Sequence, residues 1–228
     1  MNQDELTIVP LLQIGPIAIT NTVVTTWIIS AAVGLIAWAA TRRLTLEPGP
    51  IQTALEGIVE TIQSAVGEVA MRHTREVMPF IGTLWIFLVL ANLAGLIPGA
   101  HSPTRDLSAT AALAFLVFLS THWFGVRTQG LRAYLRHYLT PSPILLPFHL
   151  ISEITRTIAL AVRLFGNMMS LEMAALLILL VAGFLVPVPI LMLHIVEALV
   201  QAYIFGMLAL IYVSGGVQSQ EMKAESQE

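Results

Sequence analysis

The sequence predicts an all-α integral membrane protein with five membrane-crossing or steeply tilted helices and one amphipathic surface helix. Composition is the first ground: of 228 residues, 56% are hydrophobic and 11% charged, against about 25% charged in ordinary soluble domains. The second is run length, since several apolar stretches reach the roughly 20 residues that a helix needs to cross a bilayer core about 30 Å thick. The third is punctuation, because Pro, Gly and clustered Arg separate those stretches. A net charge of -3, with no basic patch interleaved with aromatics, removes nucleic acid as an expected partner. The absence of cysteine excludes disulfides and thiolate metal sites, and no metal or cofactor is expected. Asp4 and Glu5, without a positive n-region, argue against a cleaved signal peptide.

The chain reads as a single membrane domain over residues 1–228. A first span is predicted over 22–40, ending at Arg42 and Arg43. Glu47-Pro-Gly-Pro50 then breaks the chain. Over 50–70, Ile51, Leu55, Ile58, Ile62, Val66 and Val69 recur at helical spacing while Glu56, Glu60, Gln63 and Glu68 fill other positions. That is an amphipathic helix too charged to cross, suited to the membrane surface or to partner helices. Spans over 77–97 and 107–126 follow, expected as a hairpin across the loop that carries Arg105 and Asp106. A long pair over 143–186 and 188–213, broken at Pro187-Val-Pro189, is expected to form a second hairpin, with a polar tail at 217–228.

Charge asymmetry orients the spans. With the N-terminus outside and the C-terminus cytoplasmic, Arg42, Arg43, Arg72, Arg75, Arg127, Arg132, Arg136 and Lys223 fall on the inner side and only Arg105 on the outer. Two arginines remain, Arg156 and Arg163, both inside apolar sequence. A charge at the bilayer centre costs about 2.5–3.5 kcal/mol on insertion scales and about 10–17 by simulation, large against a net stability of about 5–15 kcal/mol. Two readings of Arg163 are open on these grounds. Either it snorkels or pairs with a carboxylate for structural reasons, or it faces an ion path.

Other polar residues bear on that choice. Asn167 lies one turn beyond Arg163, and Arg156 two turns before it, on the same face. Glu172 is about 14 Å further along and near the opposite side of a straight helix, so Arg163 and Glu172 read as stations at different depths. In the last helix His194, Glu197 and Gln201 fall at i, i+3 and i+7. Such a stripe can relay protons or form a satisfied polar seam between helices.

The stretch from Glu153-Ile-Thr-Arg156 through Arg163-Leu-Phe-Gly-Asn167 to Glu172 resembles the signature of subunit a of bacterial-type F-type (F1Fo) ATP synthase. His194, followed seven residues on by Gln201-Ala-Tyr-Ile-Phe205, is similar to that family's last helix. The resemblance extends to the amphipathic helix, to Trp85-Ile-Phe-Leu88 with Asn92 and Pro98, and to Pro103-Thr-Arg-Asp106-Leu-Ser-Ala-Thr110. It covers nearly the whole chain from about residue 48 onward and favours the ion-path reading of Arg163.

The resemblance implies that Arg163 is the essential arginine. Asn167, Glu172, His194 and Gln201 would line aqueous half-channels or support it, and Arg156 matches a basic position of the family. His149 stands where many members carry a glutamate, and Glu153 one turn later is the candidate replacement. Glu197 is an extra carboxylate beside His194. The implied partners are a ring of c-type proteolipids, b-type stalk subunits, the F1 sector through them, and membrane lipids. The implied location is a bacterial inner membrane, with ATP chemistry on other subunits. The alternative is a stand-alone proton-coupled transporter or channel, which usually shows internal repeats that this sequence lacks. A P-loop is excluded, because the only lysine is Lys223 in the polar tail.

Overall fold

The computed structural model describes residues 10–14, 17–42, 49–71, 73–97, 102–130, 134, 146–182 and 188–218. Of the expected breaks, Glu47 and Pro48 in the first and Pro187 in the second lie outside the described residues, as do the polar tail from 219 and Arg43, Arg72, Arg132, Arg136 and Lys223. Among the described residues, five helices are long and apolar enough to cross a membrane, as the all-α membrane class requires. A short antiparallel ribbon, β1 (Pro10–Ile14) and β2 (Ile17–Thr20), precedes them. It is an addition to the expected helices, although Gly15-Pro16 between two apolar runs is a turn signal.

Helix α1 (Asn21–Thr41) buries no residue. It leaves Trp27, Ile28, Leu35 and Trp38 exposed, as a helix that faces lipid would. Arg42 closes it with its guanidinium 3.8 Å from the Trp38 ring centroid, an anchor of the kind found where apolar sequence meets the polar interface. Helix α2 (Pro50–Val69) starts on a proline at N1, where no amide is lost from the hydrogen-bond ladder. Its apolar stripe, Ile62 and Val66 included, packs onto α3 (Thr74–Leu93). Its other face stays polar, with Gln52 Nε2 donating to Glu56 Oε1 at 2.7 Å.

A 3-10 turn, Ala94–Leu96, extends α3, and a second, Pro103–Arg105, leads into α4 (Leu107–Gln129). Asp106 caps α4 by accepting from the Ser108 amide at 2.9 Å and the Ser108 hydroxyl at 2.8 Å. The long pair is α5 (Leu146–Ala182) and α6 (Val188–Gln218). At about 1.5 Å per residue both exceed the hydrocarbon thickness and must tilt or project beyond it.

α3 and α4 follow each other in sequence, but they are not each other's principal partners. They meet through Phe80 and Phe124, whose ring centroids are 6.1 Å apart, while both pack more extensively on α6, and α4 also on α5. The reason is the surface of α6. Ala198, Ala202, Gly206 and Ala209 are buried on it, and small residues at such spacing let neighbouring backbones approach closely. Trp85 exploits this. Its indole lies over Gly206, so close that a Cβ there would fall 2.5 Å from Nε1.

Candidate ion-translocation site

Helix α5 turns one stripe inward. Leu160, Leu164 and Met168 are buried at four-residue spacing, with Ala161 beside them. Arg163 lies off that stripe and is exposed, as are Ala159, Val162 and Met169 around it. No hydrogen bond or ion pair involves its side chain among the described residues. The guanidinium is therefore neither capped by an internal acid of the described chain nor part of the helical packing.

Two cross-links set the register between α5 and α6. Asn167 Nδ2 donates to Gln201 Oε1 at 2.7 Å, and the Arg156 guanidinium lies 4.5 Å from the Tyr212 ring centroid. Both pairs are eleven residues apart along their own helices, as an antiparallel pair requires. In this register Asn167 brings Gln201 within one turn of Arg163, and Glu172 falls level with residue 196, so that His194 and Glu197 flank its depth.

Arg163 thus divides two polar groups. Towards the Arg105 end, Arg105 Nη1 donates to Glu172 Oε1 at 3.0 Å. His194 is buried there, its Nε2 beside Gly95, and Glu197 is half-buried. Towards the other end lie Glu153 and Arg156, 4.0 Å apart, and exposed His149. His194 Nε2 and Gln201 Nε2 are buried without a hydrogen-bond partner among the described residues, which native interiors seldom leave unexplained. Arg163 and Glu172 are not brought together, and Glu172 pairs instead with the loop before α4.

Several contributors are not legible in the sequence. Arg105 enters the charge count that orients the spans, but nothing in its spacing marks it as the partner of Glu172. Asn92, Ser102 and Thr104 form a buried network in which Thr104 Oγ1 donates to Asn92 Oδ1 at 2.8 Å and Asn92 Nδ2 to the Ala198 carbonyl at 3.1 Å. An Asn inside an apolar span is the available signal for it, since buried amides seek partners. Nothing in the spacing points to Tyr212. For the Asn167–Gln201 bond, a double-mutant cycle on unfolding free energy (Asn167→Ala, Gln201→Ala) should give a coupling near about 0.6 and below about 1.7 kcal/mol. Independent effects would mean that the bond does not persist in the membrane.

Fold and site define a multi-pass α-helical membrane protein with polar groups at three depths and, among the described residues, an unpaired cation at the middle one. The family profile described as ATP synthase A chain matches residues 23–214. ATP synthase subunit a 2 of Pelobacter propionicus is 66% identical over 218 residues, covering 96% of both chains. ATP synthase subunit a 1 of Hahella chejuensis is 66% identical over 207 residues, covering 91% of this chain and 88% of that one. ATP synthase subunit a of Legionella pneumophila is 55% identical over 215 residues, covering 94% of each. The chain belongs to the ATP synthase A chain family.

Proposed function

We infer that Arg163 is a fixed cation between two aqueous half-channels. The chain is the stator proton-channel subunit of an F-type ATP synthase. It acts as one membrane domain that carries protons to and from the carboxylates of a c-type ring, coupling the proton gradient to rotation. The observation that carries this reading is the exposure of Arg163, without a partner among the described residues, inside a long apolar helix. An exposed cation there is costly unless an anion covers it, and a ring carboxylate passing that face of α5 is such an anion.

The residues divide the work by depth. With the N-terminus outside and the C-terminus cytoplasmic, protons enter past Glu172 and pass His194 and Glu197. They reach the ring near the Asn167–Gln201 pair and neutralise a carboxylate there. Its charge gone, that carboxyl can turn into lipid. After nearly a full revolution it meets the inner half-channel, beside Glu153, Arg156 and His149, and releases its proton. A guanidinium keeps its charge in proteins, so Arg163 attracts the ionised ring carboxylate and blocks direct passage between the two clefts. One charge moving through about 150 mV releases roughly 3–4 kcal/mol, which a leak would dissipate.

The chain itself is non-catalytic, with ATP chemistry on the F1 sector, reached through b-type stalk subunits. It resides in the bacterial inner membrane. Purified under mild conditions, it should bring c-type proteolipids with it, and a chain that purifies alone overturns the reading. Glu172→Gln and His194→Ala should each slow ATP-driven proton pumping in inverted vesicles by about 100-fold, the scale of a lost proton-transfer group, without loss of assembly. Unchanged pumping in both would remove these residues from the path.

A further inference from the structure

Arg105 is the one basic residue on the side that charge asymmetry leaves almost free of them. Its guanidinium is engaged rather than solvated, 3.0 Å from Glu172, with the two side chains 21% and 18% exposed. The partners are 67 residues apart in sequence, so the contact ties the turn before α4 to α5.

That turn is itself anchored on its other flank. Ser102 Oγ donates to the Ala91 carbonyl at 2.9 Å, and the Ser102 and Thr104 hydroxyl oxygens are 2.6 Å apart. Thr104 reaches Asn92, and Asn92 reaches the Ala198 carbonyl of α6, the residue after Glu197. Ser102, Thr104 and Asn92 are all buried. A single turn therefore references α3 and α6 through its hydroxyls and α5 through Arg105. A glutamate on a helix has several staggered rotamers. A guanidinium presented from a pinned turn selects the one whose carboxylate meets it.

We propose that Arg105 is a positioning residue of the outer half-channel, holding the Glu172 carboxylate where it can pass protons towards His194 and Glu197. This rests on the reading of those three residues as the entry path. In the cycle, a proton from the outer aqueous phase binds a Glu172 carboxylate oxygen and leaves it for the next acceptor along the stripe. The carboxylate then returns to its ion pair, and Arg105 neither gains nor loses a proton. Nε2 of His194 is buried without a hydrogen-bond partner among the described residues, and in the neutral tautomer protonated at Nδ1 it carries the lone pair that can accept that proton.

The test uses the complete complex in liposomes, with ATP synthesis per assembled complex measured against the pH of the outer side. Arg105→Gln should lower the rate by up to about 100-fold, the scale of a misplaced reacting group, and displace the pH profile. Arg105→Lys should retain most of the rate. In a Glu172→Gln background, Arg105→Gln should add almost nothing. The chain contains no cysteine, so Arg105→Cys offers a second route after assembly. An aminoethyl methanethiosulfonate adduct, which restores a cation, should recover activity, and the neutral methyl adduct should not. Wild-type rate and profile in Arg105→Gln, an equal loss with and without Glu172, or equal recovery by both adducts would overturn the assignment. If Glu172→Gln synthesises at the wild-type rate, the entry path fails and the positioning role falls with it. If Glu172→Gln is slow while Arg105→Gln is normal, only the positioning role fails.

Discussion

Arg163→Ala is expected to lower gradient-driven ATP synthesis by at least about 100-fold, the scale on which removing a preorganised charge acts, while the complex assembles normally. Assembly should survive because Leu160, Ala161, Leu164 and Met168 carry the packing of this part of α5 and Arg163 does not. Passive proton leak through the membrane sector should rise, since the barrier between the half-channels is gone. Arg163→Lys should not restore coupling. A lysine ammonium sheds its proton readily when desolvated and lacks the planar fork of a guanidinium. Synthesis and leak in the same vesicles provide the measurement, and preserved coupled synthesis in the alanine variant would contradict the assigned role. Failure of assembly would instead identify Arg163 as a structural residue.

Gly206→Ala is expected to destabilise the folded chain by about 1–3 kcal/mol, the usual cost of overpacking, although the change adds one methyl group. The new Cβ would sit 2.5–2.7 Å from three atoms of the Trp85 indole. That ring cannot step aside cheaply, because it stacks on Tyr203 with centroids 5.8 Å apart and planes at 22°. Relief would move α3 away from α6, and these two helices share much of the core. Thermal unfolding of the solubilised complex and the amount of chain in the membrane should both register the loss. Trp85→Phe should return part of it by vacating space. Gly34→Ala, at a position with nothing within 4 Å, should be tolerated. Equal stability of the two alanine variants would show that α3 and α6 are further apart than described.

The spans are legible in the sequence because a hydrocarbon layer demands about 20 apolar residues in a row, and because backbone groups in lipid must bond within their own helix. Arg163, Asn167 and the His194–Glu197–Gln201 stripe are visible for the same reason, since ionisable and amide groups stand out against apolar sequence. Helical spacing is also enough to separate Arg163 from Glu172, because nine residues carry a side chain to another depth and another face. Spacing does not say what Glu172 meets. Its partner Arg105 lies 67 residues away, and Gln201 lies 34 residues from Asn167.

Chain order is a poor guide to packing. Consecutive helices suggest that α3 and α4 form a hairpin, yet α6 is a larger neighbour of each because its small residues admit close approach. The β1–β2 ribbon leaves only the Gly15-Pro16 dipeptide as a signal, because two strands of five and four residues offer little periodicity to detect.

The sequence by itself determined which segments are helical and apolar, and which charged residues lie within them. It did so because those properties depend on residues a few positions apart. Only the tertiary structure decided that Arg163 is left exposed, that Glu172 is held by Arg105, and that Gln201 is drawn to Asn167. Each of these depends on how helices distant in sequence are rotated and registered against one another, which is set by packing across the whole bundle.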